Sequence, residues 1–242
     1  MLLPTMAGVV ERRLLVNYRV DPDVVGAMLP APFRPQLVGG AAVAGICLIR
    51  LGRLRPAGLP GPVGMRTENA ACRIAVEWDG GRSGVFIPQR YSASRATVWL
   101  GGRLFPGMHR RARFLVRESD ERVRIRLDAD DGTHLDVAAT AAGAWPGSAL
   151  FSGLDHASEF FRGGSAGYSV TRDPYRLDGL ELRTGQWRME ACTLDHASSS
   201  FFEDPAAFPP GTAELDTAFL MRRIPVSWHA LPALDTRQSV PC

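Results

Sequence analysis

The chain has 242 residues, of which 45% are hydrophobic, so it is long enough to bury a substantial core. Its formal net charge of +3 is too mild to indicate a nucleic-acid-binding protein. No apolar run approaches the roughly 20 residues that span a bilayer, and the start MLLPTMAGVVERR lacks the pattern of a secretory signal. We therefore expect one cytoplasmic domain over residues 1–242, with no nucleic-acid and no membrane partner.

Arginine supplies every basic side chain, because none of the 28 Lys and Arg residues is a lysine. A lysine nucleophile is therefore excluded anywhere in the chain. The four cysteines and five histidines are scattered, without the C-x-x-C, H-x-H or H-E-x-x-H spacings of common metal sites. We expect free thiols, no metal site and no cofactor.

The N-terminal part of the chain predicts strands around one short helix. Residues Arg12–Val20 alternate between two faces, which predicts a strand with one buried face, and Arg12 falls on the apolar side. Asp21 and Pro22 have the residue types of an N-cap and a first helical position, so a helix should run from there to about Leu29.

The next elements differ in their exposure. The nearly uncharged run Ala41–Leu51 predicts a central strand that is buried on both sides. The Pro- and Gly-rich segment Arg55–Gly64 is either a solvated connector or a lid over a pocket. In the following strand Glu68 shares the apolar face that leads to Trp78, so it is either exposed at a frayed end or paired with a cation.

Turn residues divide the middle of the chain. A strand is predicted near Ser83–Gln89, and Pro88 favours an edge position or a strand end there. A short helix should follow over Ala93–Leu100, which Gly101 and Gly102 would close with a positive φ.

A basic hairpin begins at Arg110. Alternation places Arg110 on the inward face with Ala112, whereas Arg111 and Arg113 point outward. The outer face carries many arginines, which indicates a solvated, internally paired surface better than a nucleic-acid site. In the last third of the chain one helix is predicted, over Asp155–Arg162. Four strands are predicted there as well, near Gly167–Thr171, Gly179–Thr184, Gln186–Leu194 and Asp216–Met221. Short connections favour antiparallel pairing, so the fold class is α+β, β-rich, with a few short helices.

Three ionisable residues from separate strands share inward faces: Arg12, Glu68 and Arg110. Each would be costly to bury alone, so we expect them to lie together. They would either line a water-filled or ligand-filled cavity or form a closed ion-pair network. The sequence has no phosphate-binding loop of the GxxxxGK[ST] kind and no G-x-G-x-x-G motif that would add a further site.

Three stretches, LVNYRVDPDVVGAMLPAPF, TENAACRIAVEW and GGRLFPGMHRRARF, resemble the bacterial DUF2071 (YqjF-like) family, which is related to acetoacetate decarboxylase. The resemblance implies a single antiparallel β-barrel-like domain with a central, partly apolar cavity. It also aligns the paired lysines of the true decarboxylases, counted from Gly102-Arg103, with Arg110-Arg111. Because a guanidinium stays protonated and is no amine nucleophile, this chain cannot use their Schiff-base chemistry. Glu68 is the counterpart of their active-site glutamate, and Arg12 loosely matches an arginine near their first strand.

These observations leave three functions open. The first is an enzyme, a lyase or an isomerase, in which Glu68 and Arg110 are catalytic and Arg12, Tyr91 and His109 bind a carboxylated or keto/enol metabolite. Its reaction would be an isomerisation, a hydration or dehydration, or a cyclisation. The second is a non-catalytic protein that binds a small molecule in the same cavity, and the third is a structural protein with a buried ion-pair network. A homo-oligomer is compatible with each.

Overall fold

The computed structural model describes residues 5–60, 64–101 and 106–237. Strands dominate these ranges, and the helices are short. The strands are β1 Met6–Val20, β2 Arg34–Pro35, β3 Leu37–Val38, β4 Ala41–Pro56, β5 Met65–Trp78, β6 Arg82–Ser92, β7 Arg110–Glu118, β8 Arg122–Ala129, β9 His134–Ala141, β10 Ala166–Val170, β11 Arg176–Arg183, β12 Glu190–Ser199 and β13 Ala213–Asp235. The helices are α1 Pro22–Met28, α2 Arg95–Leu100 and α3 Leu154–Gly163.

Five strands form a continuous wall in the order β13-β1-β4-β5-β6, and every neighbouring pair in it is antiparallel. Strands β10 and β11 connect β6 back to β13, which closes a first ring. Strands β7, β8, β9 and β12 connect the same two strands by a second route and close a second ring. The β-rich fold class is confirmed, and its central feature is a wall that two rings share.

The expected antiparallel pairing does not hold at β6. This strand pairs in parallel with β10 and with β7, so the sheet is mixed. The chain between β6 and β7 passes through α2, which supplies the long crossover that a parallel pair needs.

The wall is buried on both faces. Leu14 and Leu15 point to opposite faces of β1, and each is 0% exposed. On one face the wall packs against β8 and β9 through Ile125 and Val137, and on the other it packs against α3 through Phe161. The prediction of a single buried face for the first strand is therefore wrong, because each ring covers one side of it.

Pro88 lies inside β6 rather than on a sheet edge, which corrects the prediction. Strand β10 pairs with β6 as far as Ile87, and β7 pairs with it from Tyr91 onward. The proline has no N–H to donate, and it occupies the gap between these two partners, where the rings separate. Gly101 has a φ of −56°, so the predicted positive φ is wrong there, and Gly102 lies outside the described residues.

Several boundaries also differ from the predicted ones. The last strand is much longer than Asp216–Met221, because β13 pairs first with β12 and β1 and then with β11. Most of the segment Arg55–Gly64 lies beyond the end of β4, and residues 61–63 of it are outside the described ranges. None of the helices in the described parts of the chain has the length and apolar character to cross a membrane.

Candidate functional site

A cavity of about 180 Å³ lies within the first ring. All seven strands of that ring contribute to its lining, together with Phe161 of α3 and His109, which directly precedes β7. Part of the lining is apolar, and it includes Ile49, Leu51, Leu180, Leu182, Trp187 and Trp228. For comparison, an engineered cavity of roughly 150 Å³ binds benzene, so this one has room for a small metabolite.

Three arginines of the wall, Arg13, Arg73 and Arg90, line this cavity, and we call them the arginine triad. They come from β1, β5 and β6, so no short sequence motif contains them. Arg73 lies opposite Gly45 of β4 and at a register shift between β5 and β6, where it has no partner on β6. A bulge of this kind re-aims a side chain, and bulges are frequent beside active sites.

Each triad member donates to one acceptor among the described residues, and none of these acceptors is a carboxylate. Arg73 donates to Oδ1 of Asn17, and its guanidinium carbon lies 4.8 Å from the centre of the Phe161 ring. The Nε–H of Arg90 donates to Oγ of Ser169 at 2.7 Å. The remaining member, Arg13, directs its Nε–H at Sγ of Cys47 on β4, at 3.4 Å.

No carboxylate of the described residues neutralises the positive charge of the triad. No aspartate or glutamate is among the described residues that line the cavity, and none of the described carboxylates forms an ion pair with a triad member. Burial lowers the pKa of both Arg73 and Arg90 to about 10. Arg73 is buried and Arg90 is half-buried, and neither has a carboxylate partner among the described residues. Such an arrangement favours the binding of an anion.

His109 brings a neutral ring to the same cavity. Burial and, secondly, the charge of Arg90 lower its pKa to about 3, against a weaker opposing effect of the Gly107 carbonyl, to which Nδ1 lies at 3.3 Å. Gly107 itself has a φ of +78°, and a Cβ there would lie 2.4 Å from Cβ of Ser169. Only glycine fits so close to the residue that accepts from Arg90. His109 is therefore uncharged at neutral pH, and one ring nitrogen can accept a proton.

Two of the residues predicted from the sequence, Arg12 and Glu68, do lie together, but outside the lining of the cavity. Nη2 of Arg12 is 2.5 Å from Glu68, and Arg50 and Glu118 complete an ion quartet with them. Nε of Arg50 is 2.5 Å from Glu68, and its Nη1 is 2.8 Å from Glu118. Arg12 is fully buried, so the quartet supplies the partners that its charge requires.

Arg110 is not part of that quartet, and the prediction that it lies in the interior beside Arg12 and Glu68 is wrong. Its side chain is 43% exposed, and Nη1 lies 2.7 Å from Asp131. It is the first residue of β7, beyond the core that begins at Ala112. The turn Gly102-Arg103, from which the resemblance was aligned, is outside the described residues.

Tyr91 belongs to the cavity through its ring only. It is buried and is among the residues that line the cavity, but its hydroxyl points away to Oγ1 of Thr133, at 2.8 Å, and to Gln89, at 3.2 Å. Burial raises the pKa of Tyr91. Of the five predicted site residues, His109 and the ring of Tyr91 thus reach the cavity.

The arginine triad was not predicted from the sequence. One signal was present, because Arg73 interrupts the apolar run Ala70–Val76 in a strand whose neighbour β4 reads as buried on both sides. An arginine in such a run is either paired or faces a cavity. Within the described ranges, no group of three or more His, Cys, Asp or Glu side chains is placed to hold a metal ion.

Comparison with known proteins agrees with this architecture. The model of the DUF2071 family, described as an uncharacterized conserved protein, matches residues 9–222. A comparison with curated protein sequences finds no match.

Solved structures with the same fold include three with different descriptions. An acetoacetate decarboxylase-like enzyme from Sphingomonas wittichii RW1 is 16% identical with a TM-score of 0.59, and the match covers 96% of this chain and 92% of that one. The enduracididine biosynthesis enzyme MppR, complexed with a condensation product of pyruvate and imidazole 4-carboxaldehyde, is 14% identical with a TM-score of 0.60 and coverages of 98% and 91%. Acetoacetate decarboxylase from Legionella pneumophila is 12% identical with a TM-score of 0.54 and coverages of 96% and 88%.

At these identities the structural matches show the fold alone, whereas the family match spans most of the sequence. The chain belongs to the DUF2071 family and has an acetoacetate decarboxylase-like fold.

Proposed function

We propose that this protein is an enzyme that binds a small carboxylate in the arginine triad cavity and acts on its keto or enol group by acid/base chemistry, without a Schiff base. The single observation that carries the proposal is the uncompensated charge of the triad. Arg13, Arg73 and Arg90 face one small cavity whose described lining contains no carboxylate. Burying such charges costs several kcal/mol, which a bound anion would offset.

The size and lining of the cavity limit the range of possible substrates. A volume of about 180 Å³ suits a short acid rather than a coenzyme or a polymer. Guanidinium groups would hold its carboxylate, and the apolar wall, with Trp187 and Trp228, would contact its carbon chain. MppR has been solved with pyruvate bound, and that neighbour supports 2-oxo acids as the first class to test.

His109 is the group that we assign to proton transfer. It is neutral and buried in the cavity, and an anion beside Arg90 would raise its pKa toward the range in which a base works. Glu68, the candidate from the sequence, accepts hydrogen bonds from Arg12 and Arg50 and is not among the lining residues. We assign Glu68 and Arg12 a structural role in the proposal.

The triad would also stabilise an enolate. Proton removal next to the carbonyl of a bound oxo acid places negative charge on the carbonyl oxygen, and fixed guanidinium groups in a site of low polarity stabilise such a charge strongly. This supports keto/enol isomerisation, or hydration and dehydration, as the reaction classes.

A panel of short 2-oxo and 2-hydroxy acids tests the proposal. We expect at least one oxo acid to raise the melting temperature of the wild-type protein, and proton NMR in deuterium oxide to show exchange of its C3 hydrogens. Arg90→Gln should abolish the thermal shift. Arg110→Gln is the matched control, because it removes an arginine that is outside the cavity lining, and it should retain the shift.

The second candidate function is a binding protein without chemistry. It is favoured by the low pKa of His109 in the free protein, which makes this ring a weak base until a ligand is bound. Saturable binding with no exchange of C3 hydrogens and no product would establish it. If no small anion binds and Arg90→Gln behaves as wild type, both candidates fail.

A further inference from the structure

Cys47 lies in the same cavity as the arginine triad. It is on β4, with Leu15 of β1 and Ala71 of β5 as its neighbours across the sheet. Arg13 is paired with Ile49, two residues along β4, so its side chain and that of Cys47 share a face. Nε–H of Arg13 points to Sγ of Cys47 at 3.4 Å. The thiol is 9% exposed and is among the lining residues.

The other two described cysteines have different surroundings. Cys72 and Cys192 belong to the core on the opposite face of the wall, and neither lines the cavity. Burial raises the pKa of each to about 12, which keeps them as unreactive thiols. They therefore provide internal controls for any reaction at Cys47.

A second feature is a buried donor that lines the same cavity. Arg73 is 3% exposed and lines the cavity, yet its Nε–H has no hydrogen-bond partner among the described residues. Buried donors of this kind are rare in folded proteins, because each one loses its hydration without a replacement. A ligand oxygen would satisfy it.

Three guanidinium groups share the cavity with Cys47. Burial lowers the pKa of Arg73 and of Arg90, and for both groups the effect that opposes burial comes from Cys47. With Arg13 in contact and these two arginines nearby, a thiolate would be the internal counter-charge that the cavity otherwise lacks. The thiolate is the nucleophilic form of cysteine.

We propose that Cys47 is the nucleophile of this cavity and adds reversibly to the carbonyl carbon of a bound 2-oxo acid, an inference that rests on the proposed carboxylate site. The thiolate sulfur forms a bond to the carbonyl carbon, and the π pair of the C=O bond moves to its oxygen. The resulting alkoxide is held by the arginine triad, so neither an oxidant nor a leaving group is needed. Collapse of the adduct returns the pair to the C=O bond and releases the thiolate.

Charge-selective alkylation of the native protein tests this proposal. Iodoacetate would be attracted by the triad, and the Cys47 sulfur would displace its iodide with formation of one S–C bond. We expect iodoacetate to modify Cys47 at least about tenfold faster than neutral iodoacetamide does, since a cleft of one charge speeds the capture of the opposite charge by such factors. Peptide mass spectrometry locates the label.

Matched variants fix the site. Cys47→Ser should remove the fast reaction, whereas Cys72→Ser should leave it unchanged. Arg13→Gln should reduce the preference for iodoacetate, because it removes the guanidinium that contacts the sulfur. Equal reactivity of Cys47 and Cys72, or faster labelling of Cys47 by iodoacetamide than by iodoacetate, would overturn the proposal.

A second measurement separates this inference from the carboxylate site. Pyruvate labelled with carbon-13 at its carbonyl carbon should give a protein-bound tetrahedral carbon signal with wild type and none with Cys47→Ser. If pyruvate or another oxo acid raises the melting temperature but neither this signal nor selective alkylation occurs, the nucleophile is rejected and the binding site stands. If no anion binds at all, both proposals are rejected.

Discussion

Replacing Arg73 by methionine should stabilise the free protein and abolish its ligand binding. Arg73 is 3% exposed, has no carboxylate partner among the described residues and has its pKa lowered by burial from 12.5 to about 10. A fall of this size corresponds to roughly 3 kcal/mol of free energy against the charged form, at about 1.4 kcal/mol per pH unit. Methionine has a similar length and removes the charge.

Two losses reduce that gain. The variant leaves Oδ1 of Asn17 without its donor, which costs about 1–2 kcal/mol for a buried carbonyl group. It also removes the contact of the guanidinium with the Phe161 ring, but a methionine sulfur near an aromatic ring is worth a similar amount, roughly 0.5–1 kcal/mol. The net change is a stabilisation of about 1–2 kcal/mol, which raises the melting temperature of a chain of this size by roughly 2–8 °C.

Differential scanning calorimetry without and with an oxo acid measures both effects. Arg34→Met is the matched control, because Arg34 is exposed and paired with Glu77, and such surface pairs are worth about 0–1 kcal/mol. We expect it to lower stability slightly and to retain the ligand-induced shift. A clear destabilisation of Arg73→Met, or a variant that still binds the ligand, would refute the view that the cavity holds an uncompensated cation for an anion.

Three further outcomes are expected. His109 has a pKa of about 3 in the folded protein against an ordinary 6.5, so the unfolded chain takes up its proton first as the pH falls. The contribution of His109 to stability is therefore complete above about pH 6.5 and is lost as the pH drops toward 3. In urea titrations at several pH values, His109→Gln should flatten that loss. Glu68→Gln should lower the free energy of unfolding by about 3 kcal/mol, because it weakens the ion pair with the buried Arg12, and should leave the ligand-induced thermal shift intact. Loss of turnover at unchanged stability would instead restore the acid/base role of Glu68. Arg110→Ala should change stability by less than about 1 kcal/mol and leave the affinity measured by calorimetry unchanged, since its pair with Asp131 is exposed.

The stability and the proposed function of this fold make opposite demands on the wall. Arg12 and Arg13 are adjacent in the chain and point to opposite faces of β1. Arg12 meets Glu68 and Glu118, so its charge is satisfied within the protein. Arg13 meets Cys47 and no carboxylate of the described chain. A site that stays incomplete without a ligand is a common reason for a local loss of stability.

Local patterns predicted much of the fold. The period of two identified parts of β1, β5 and β7, the apolar run identified most of β4, and Asp21 and Pro22 marked the start of α1 correctly. The two-residue strands β2 and β3 were not predicted. The ends of β13 were missed because they depend on which strands lie beside it, and the two parallel pairings of β6 leave no mark in the sequence.

Alternation could not locate the cavity, for a physical reason. It identifies the inner face of a strand only where the other face meets water, and the shared wall is covered on both sides. Both Arg12 and Arg13 are therefore candidates for a buried charge. Arg12 lies on the more apolar face of the strand, and that face leads to the ion quartet, whereas Arg13 on the other face lines the cavity. For Arg110 the parity was right, but the position at the strand end exposed it.

The sequence by itself determined the β-rich fold class, the membership of the family and the absence of any lysine nucleophile. These follow from composition, from local periodicity and from the order of motifs along the chain. Only the tertiary structure decided that Arg13, Arg73, Arg90, His109 and Cys47 meet in one cavity, because strand pairing brings together residues that are up to 96 positions apart. It also decided which charges are neutralised, since that depends on the neighbours that each face of the wall acquires when the two rings close.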